Sequence, residues 1–432
     1  MRRARIVPWI IVGVVLLGGA TWRATIDEHL DLHNVSVRTG PNAGPLALAV
    51  DTTAGHVLAV MTSATDKAGH PIGNGAVALL DTSTNAILDR VAVGGSGNAV
   101  AVDDALHRAF VATTLLPPFV PAPVGTTLRV LDTRSGRLLR TIRVGNAPIA
   151  VAVDGRTGHV FVATRGLTRA GIPTPGRVLT LDARTGTVTH VATVGISPRT
   201  IAVATTTRRI FVVNQDSDNV SMLDARTGRL LHTTPLGHAP CDAGDDSPCT
   251  AAVDARTGRV FVASYTANTA GSGMGTISML DARTGVILRT IPVHGRPYAA
   301  AVHGRAGHAF ITNLGDATLV DGAVLMLDAR TGRVLRTIPV GGAPGAITAD
   351  ERSGRAIVLG TNGGARAILN HLSLDRSFAN DTLSVLDTRS GAIVRTVKVG
   401  GDLRAVAIDA RTGHAFIANY GDGAVSMLDV AR

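Results

Sequence analysis

The sequence predicts an all-β fold: a single β-propeller of eight four-stranded blades, with seven blades as the runner-up. Three observations carry this. A unit of about 50 residues recurs eight times along the chain. Each copy contains short Val- and Ala-rich runs bounded by Gly, Asp and Thr, the signature of short strands. The last copy stops at Arg432 after its third strand, and Val35-Ser36-Val37-Arg38-Thr39-Gly40, ahead of the first copy, looks like the missing fourth. An N-terminal strand completing the last blade would close the ring and pair two exposed sheet edges.

The strands follow in order. The first of each copy ends at Asp51, Asp103, Asp154, Ala204, Asp254, His303, Asp350 or Asp409. The second is an F-V-A-T or F-I-T-N type run. The third ends at Asp81, Asp132, Asp182, Asp224, Asp281, Asp328, Asp387 or Asp429. From each third-strand end to the next first-strand end is 22 residues, except across the stretch with the two cysteines, which is eight residues longer. In the third copy the strands are expected at Ala150 to Asp154, Val160 to Ala163, Val178 to Asp182 and Val188 to Val194. The D-x-R-[ST]-G segments read as hairpin turns. Asp accepts N–H bonds from two residues on, and Gly takes the left-handed conformation. The repeated Asp residues are therefore turn formers before they are catalytic or metal-binding groups.

Composition agrees. The chain is 45% hydrophobic but only 3% aromatic, so its core is Val, Ala, Leu and Ile. Forty-nine glycines and 19 prolines suit many tight turns. Lys67 and Lys398 are the only lysines, so nearly all basic charge is Arg, read first as coding bias.

Residues 1–22 read as a signal peptide or signal-anchor, 23–34 as a linker and 35–432 as the propeller. Arg2, Arg3 and Arg5 precede an apolar run from Ile6 to Trp22, with Gly18-Gly19-Ala20 as a candidate cleavage site. Cleavage and a membrane tether through residues 6–22 both stay open. Either places the body outside the cytoplasm: secreted, periplasmic or at the cell surface. Cys241 and Cys249 bracket one short acidic loop, which fits a disulfide in an oxidising compartment.

Phe310-Ile311-Thr312-Asn313, Phe211-Val212-Val213-Asn214 and Phe416-Ile417-Ala418-Asn419, with the V-x-V-G-x-x-P-x-A-V-A-V-D stretch, are similar to the motif of the YVTN-repeat β-propeller family. The resemblance covers roughly residues 35 to 432. It implies exported, often surface-located bacterial or archaeal proteins, and it carries no shared catalytic residue.

Insertions fall on one face, in the second-to-third and fourth-to-first connections: Ser63 to Gly75, Thr113 to Thr126, Thr164 to Arg177, Ser264 to Thr276, Thr361 to Thr382, and the cysteine loop. Loops on a rigid scaffold carry function, so this is the expected binding face. One irregular position sits inside the regular motif, five residues before the first-strand end: Leu46, Asn98, Ile149, Arg199, Cys249, Tyr298, Gly345 and Arg404. It should lie at the rim of the central channel. Asn98, Arg199, Arg296, Tyr298 and Arg404 are the candidate ligand-binding residues, since Arg forks suit carboxylates and phosphates. The bland reading is a set of solvated rim side chains.

The expected function is a non-enzymatic binding or scaffold protein whose partner is a protein, a glycan or an anionic small molecule. The alternative is a propeller enzyme, such as a lactonase, lyase or quinoprotein-like dehydrogenase, with its site at the channel mouth. No catalytic set and no cofactor is implied. His371, Asp375 and Arg376 share a loop without a demanding spacing. Asp242, Asp245 and Asp246 are a calcium candidate, with a solvated acidic loop as the simpler reading. Leu115-Leu116-Pro117-Pro118-Phe119-Val120 is a candidate apolar contact. His56, His159, His308 and His414 share one turn position and form no metal motif. The net charge of +10 raises polyanion or DNA binding as a further alternative. The absence of a basic run or an aromatic strip disfavours nucleic acid.

Overall fold

The structure is a computed structural model and describes residues 32–38, 40, 43–64, 73–114, 126–168, 171–237, 250–266, 274–315, 322–361 and 381–430. Every regular element among them is a strand, β1 to β32 in chain order. They form eight four-stranded antiparallel sheets. Blade one is β2 (Pro45–Asp51), β3 (His56–Met61), β4 (Ala76–Asp81) and β5 (Ile87–Ala92). Each later blade repeats that up-and-down order with the next four strands. Blade eight is β30 (Leu403–Asp409), β31 (His414–Asn419) and β32 (Ala424–Asp429), completed by β1 (His33–Ser36). The first strands pack side by side around the axis, β2 against β6 (Ser96–Asp103) and so on to β30 against β2.

The N-terminal strand closes the ring as the end phasing predicts, but in a shifted position. Its register is His33 on Met427 to Ser36 on Ala424, and Val37 N–H continues the ladder to the Gly423 carbonyl at 2.9 Å. The Val35–Gly40 expectation rests on likeness to the R-T-I-x-V-G fourth strand of the other copies. Pairing with β32 instead favours the alternation that buries Val37. In the third blade β10 (Pro148–Asp154), β11 (His159–Leu167), β12 (Pro173–Asp182) and β13 (Val188–Ile196) all outrun their expected bounds. There the Thr164–Arg177 insertion is the hairpin itself prolonged, with Gly166 opposite Thr174 and Leu167 opposite Pro173.

Eight apolar clusters hold the ring together, one at each seam between neighbouring blades. The cluster at the closure seam joins Val57, Ala59 and Leu80 of blade one to Phe416, Val425 and Met427 of blade eight. Second strands supply the bulk. Phe110, Phe161, Phe211, Phe261, Phe310 and Phe416 are fully buried, and Leu58 and Ile357 take the same place in blades one and seven.

The tight-turn face is held by carboxylates. Asp224 Oδ1 accepts the N–H groups of Arg226 at 3.0 Å and Thr227 at 2.9 Å, and the Thr227 hydroxyl at 3.1 Å. The other described third-strand turns repeat this geometry. Where His303 replaces the first-strand Asp, its Nδ1 accepts the Ala306 N–H at 3.0 Å, so the acceptor is kept. The glycines of these turns sit at positive φ, Gly136 at 72° for example, and where Gly is missing Asn85, His107 and Arg208 adopt the left-handed conformation.

Histidine and arginine at the repeat positions bridge blades. His56, His308 and His414 Nδ1 each lie 2.7–2.8 Å from a backbone carbonyl in the next blade: Thr133, Thr388 and Thr82. The outer-strand guanidinium groups of Arg140, Arg289 and Arg336 donate to the Thr185, Thr331 and Ser390 carbonyls of the following blade. A planar fork reaches across a seam and donates to a carbonyl better than a lysine ammonium does.

Candidate functional site

The irregular rim position turns out to be a β-bulge. Between first strand and partner the register shifts across Leu46, Asn98, Ile149, Arg199 and Arg404, whereas the blade-five position, Cys249, lies outside the described residues. In blades six and seven the shift takes in two residues, Tyr298-Ala299 and Gly345-Ala346. A bulge leaves one residue unpaired and re-aims its side chain. Here it does so at the long-loop end of the innermost strand, usually just after a proline. That proline is wedged against the preceding blade. A Cβ on Gly322 would come within 2.0 Å of Pro344 Cδ, and one on Gly275 within 2.2 Å of Pro297 Cδ.

From the bulge to the strand end, the eight inner strands carry only Ala, Val, Leu, Ile and Thr. The channel wall is thus chemically plain, and the bulges set unlike side chains at one mouth. Several are braced by the residue that follows the second strand's motif. Asn98 Nδ2 donates to Thr114 Oγ1 at 2.6 Å and to the Pro148 carbonyl of the next blade at 3.1 Å. Arg199 Nε donates to Gln215 Oε1 at 2.5 Å, and Gln215 is buried. The Arg404 guanidinium lies 5.3 Å from the Tyr420 ring centroid. Arg296 lies 5.2 Å over Tyr265 of the preceding blade. Tyr298 stands half-buried at the next bulge.

This second tier (Thr114, Arg165, Gln215, Tyr265 and Tyr420) escaped sequence reasoning. Its signal was present: the place just after the F-[VI]-x-[TN] run is as irregular as the bulge itself. Arg165 adds a further guanidinium to the mouth, and its Nε is buried without a hydrogen-bond partner.

Two rim cations are braced in different ways. Arg404 forms a two-pronged ion pair with Asp402, Nε to Oδ1 at 2.7 Å and an Nη to Oδ2 at 3.1 Å. Asp402 is in turn fixed by its own N–H donating to Asp381 Oδ2 at 2.8 Å. An anionic ligand at Arg404 has to compete with a carboxylate already in place. Arg199 donates to a neutral amide, Gln215, which orients its guanidinium at the mouth. The motif asparagines build the turns beneath: Asn214 Nδ2 donates to Asn219 Oδ1 at 2.8 Å and to Ser221 Oγ at 2.9 Å.

Carboxylates with depressed pKa lie on the opposite face. The Ser83 hydroxyl bond, with further turn bonds from Thr84, holds Asp81 at about 2 against the opposing effect of burial. For Asp132, Asp224 and Asp281 burial is the largest cause and raises the value, yet the turn bonds together outweigh it. Asp104 goes the other way, raised by burial and by Asp51 and Asp103 nearby. No group of three or more His, Cys, Asp or Glu side chains is arranged for a metal among the described residues. Cys241, Cys249, Asp242, Asp245 and Asp246 lie outside the described residues, as do residues 1–31, the apolar 115–120 segment and most of the Thr361–Thr382 insertion.

Solved propellers share this ring at low identity. BamB from Moraxella catarrhalis superposes with a TM-score of 0.57 at 14% identity, over 92% of this chain and 98% of that one. Saccharomyces cerevisiae Sqt1 gives 0.66 at 11%, over 94% and 100%. Kuenenia stuttgartiensis hydrazine synthase gives 0.54 at 14%, over 90% and 96%. These likenesses are of fold alone. A comparison with curated proteins finds no match. A family model described as outer membrane protein assembly factor BamB matches residues 18–338. That match spans about three quarters of the sequence, and the chain belongs to this BamB family of propellers.

Proposed function

We propose that this chain is an extracytoplasmic, non-enzymatic propeller that binds a protein partner at the long-loop mouth of its channel. One observation carries the reading: unlike side chains appear where the bulges interrupt the repeat, around a channel wall of plain apolar residues. Arg199, Arg165, Arg296 and Tyr298 are the contact residues, with Asn98 and Arg404 beside them on the rim. Braced side chains lose little further freedom on binding, and Tyr and Arg are the residue types that concentrate binding energy at interfaces. The family's description as an outer membrane protein assembly factor favours a protein partner outside the cytoplasm, as does the motif resemblance to exported YVTN-repeat propellers. The likeness to hydrazine synthase keeps the fold compatible with an enzyme, but the wall between bulge and strand end offers no carboxylate, imidazole or thiol.

A photo-crosslinking residue placed at Asn98 or Tyr298 tests this in the native cell envelope. Both sites are expected to give adducts with the same defined protein, lost in Arg199→Ala plus Arg165→Ala. Equal adducts from a probe at Arg330, on the opposite face, would sink the reading. Turnover of a lactone or of a redox dye by purified protein would favour the enzyme instead.

A further inference from the structure

We propose that the tight-turn face is a docking surface for an anionic lipid bilayer, with its contact sector on blades four to six. The turns of these three blades, with the strand-start residues Arg209 and Arg259, hold ten arginines against four aspartates, and Glu351 of blade seven adds one carboxylate at the Gly304–Arg305 turn. Arg209 and Arg259 are spent in ion pairs with Asp224 and Asp281, at 3.0 and 3.2 Å. Asp254 is buried beneath its turn, where it accepts the Arg256 N–H at 2.9 Å. Arg208 and Arg226 on blade four, Arg256 and Arg283 on blade five, and Arg305 and Arg330 on blade six stand exposed. They form two concentric arcs at the tips of short, rigid turns. Across the ring, the described turns of blades eight and one hold Asp51, Asp81, Asp409 and Asp429 against a single arginine, Arg411.

The topology supplies the second observation. β1 runs antiparallel to β32, so the chain enters the ring at the end where β32 meets the tight-turn face. Asn85 Nδ2, in a turn of that face, donates to the His33 carbonyl at 2.8 Å. The apolar run that ends at Trp22 is separated from the ring by residues 23–32, a reach of at most about 35 Å fully extended. The chain therefore enters the ring on the side of the disc that carries the arginine sector, at the opposite edge, with an apolar run a short linker ahead of it in sequence. One weak hydrophobic contact and one basic patch together hold a protein on a membrane far better than either alone. A flat array at turn tips also matches a planar array of headgroups better than a rod of nucleic acid. Such docking would leave the long-loop mouth facing away from the bilayer.

Flotation of the full chain with neutral phosphatidylcholine vesicles, and with vesicles about one third phosphatidylglycerol, tests this. Binding to the anionic vesicles should be stronger, and most of the gain should vanish at about 0.5 M salt. Each arginine contributes roughly fivefold, so Arg226→Gln plus Arg283→Gln plus Arg330→Gln should lose roughly a hundredfold on anionic vesicles and nothing on neutral ones. These side chains are exposed and outside ion pairs, so an unchanged thermal midpoint confirms an intact ring. The matched variant Arg134→Gln plus Arg184→Gln plus Arg389→Gln, at the same turn position outside the sector, should lose much less. Equal losses in the two variants, or equal binding of wild type to both vesicle types, overturn the proposal. So does tighter, equally arginine-dependent binding to duplex DNA.

Discussion

The two faces of this ring are built on opposite principles. On the tight-turn face the same short turn recurs. An aspartate accepts two backbone N–H groups, and a residue in the left-handed region closes the loop. Most polar side chains there fasten something. His56 and His414 hold seams, and Asp224 holds a turn and an ion pair. On the long-loop face the bulged residue and its brace change from blade to blade: asparagine on threonine, arginine on glutamine, arginine on tyrosine. The ring needs the first face in order to close. It needs only a bulge from the second, so the bulge is where side chains are free to specialise.

If that division is right, stability and binding should separate by position. The largest loss of stability belongs to the seams. Phe261→Ala should cost about 3–5 kcal/mol in denaturant unfolding, since it empties the cluster shared by blades five and six. Asp51→Ala comes next, at roughly 2–3 kcal/mol. Asp51 accepts from Thr53 and Ala54 N–H at 3.0 and 2.8 Å and from the Thr133 hydroxyl of the next blade, and its removal strands those donors.

Acid should break the tight-turn face first. Asp81 and the other third-strand aspartates titrate below their ordinary values when folded. Their contribution is therefore fully present above about pH 4, the unfolded carboxylate range, and is lost as pH falls through the folded values, about 2 for Asp81. Urea midpoints at pH 5, 4, 3 and 2 should fall progressively, and Asp81→Asn should flatten part of that fall. A midpoint independent of pH would mean the turns contribute little.

His414→Ala removes one seam bond and should cost about 1 kcal/mol. Arg199→Ala should cost no more than about 1 kcal/mol, for the bond it takes from Gln215, while weakening crosslinked adducts at Asn98 and Tyr298. If Arg199→Ala instead destabilised the ring as much as Asp51→Ala, the rim would be structural and the contrast between the faces would collapse.

Much of this is legible in the sequence because the repeat acts as a ruler. The spacing from third-strand Asp to the next first-strand end is constant except into blade five and steps from blade to blade, and the odd position at Asn98, Arg199 and Arg404 marks the bulges without any geometry. What escapes needs pairing across the fold. Gln215 lies 16 residues from Arg199, and nothing local ties them together. His414 bonds a carbonyl 332 residues away, so a residue that looks decorative in the repeat is a fastening. The closure strand starts two residues ahead of its expected place because its register is decided by pairing with β32, nearly 400 residues away in sequence.

The four-residue strand β1 also has a temporal consequence. Asn85 of blade one donates to Val425 in blade eight, across 340 residues of chain. Such a closure adds little entropic penalty per added residue, since the cost grows only with the logarithm of loop length. It does impose an order of events. Blades one to seven can each form from contiguous sequence as the chain emerges, but the earliest-made strand has to stay unpaired until β32 exists. The newborn protein therefore carries one open latch for nearly its whole synthesis, and anything that captures β1 in that interval competes directly with the last step of folding.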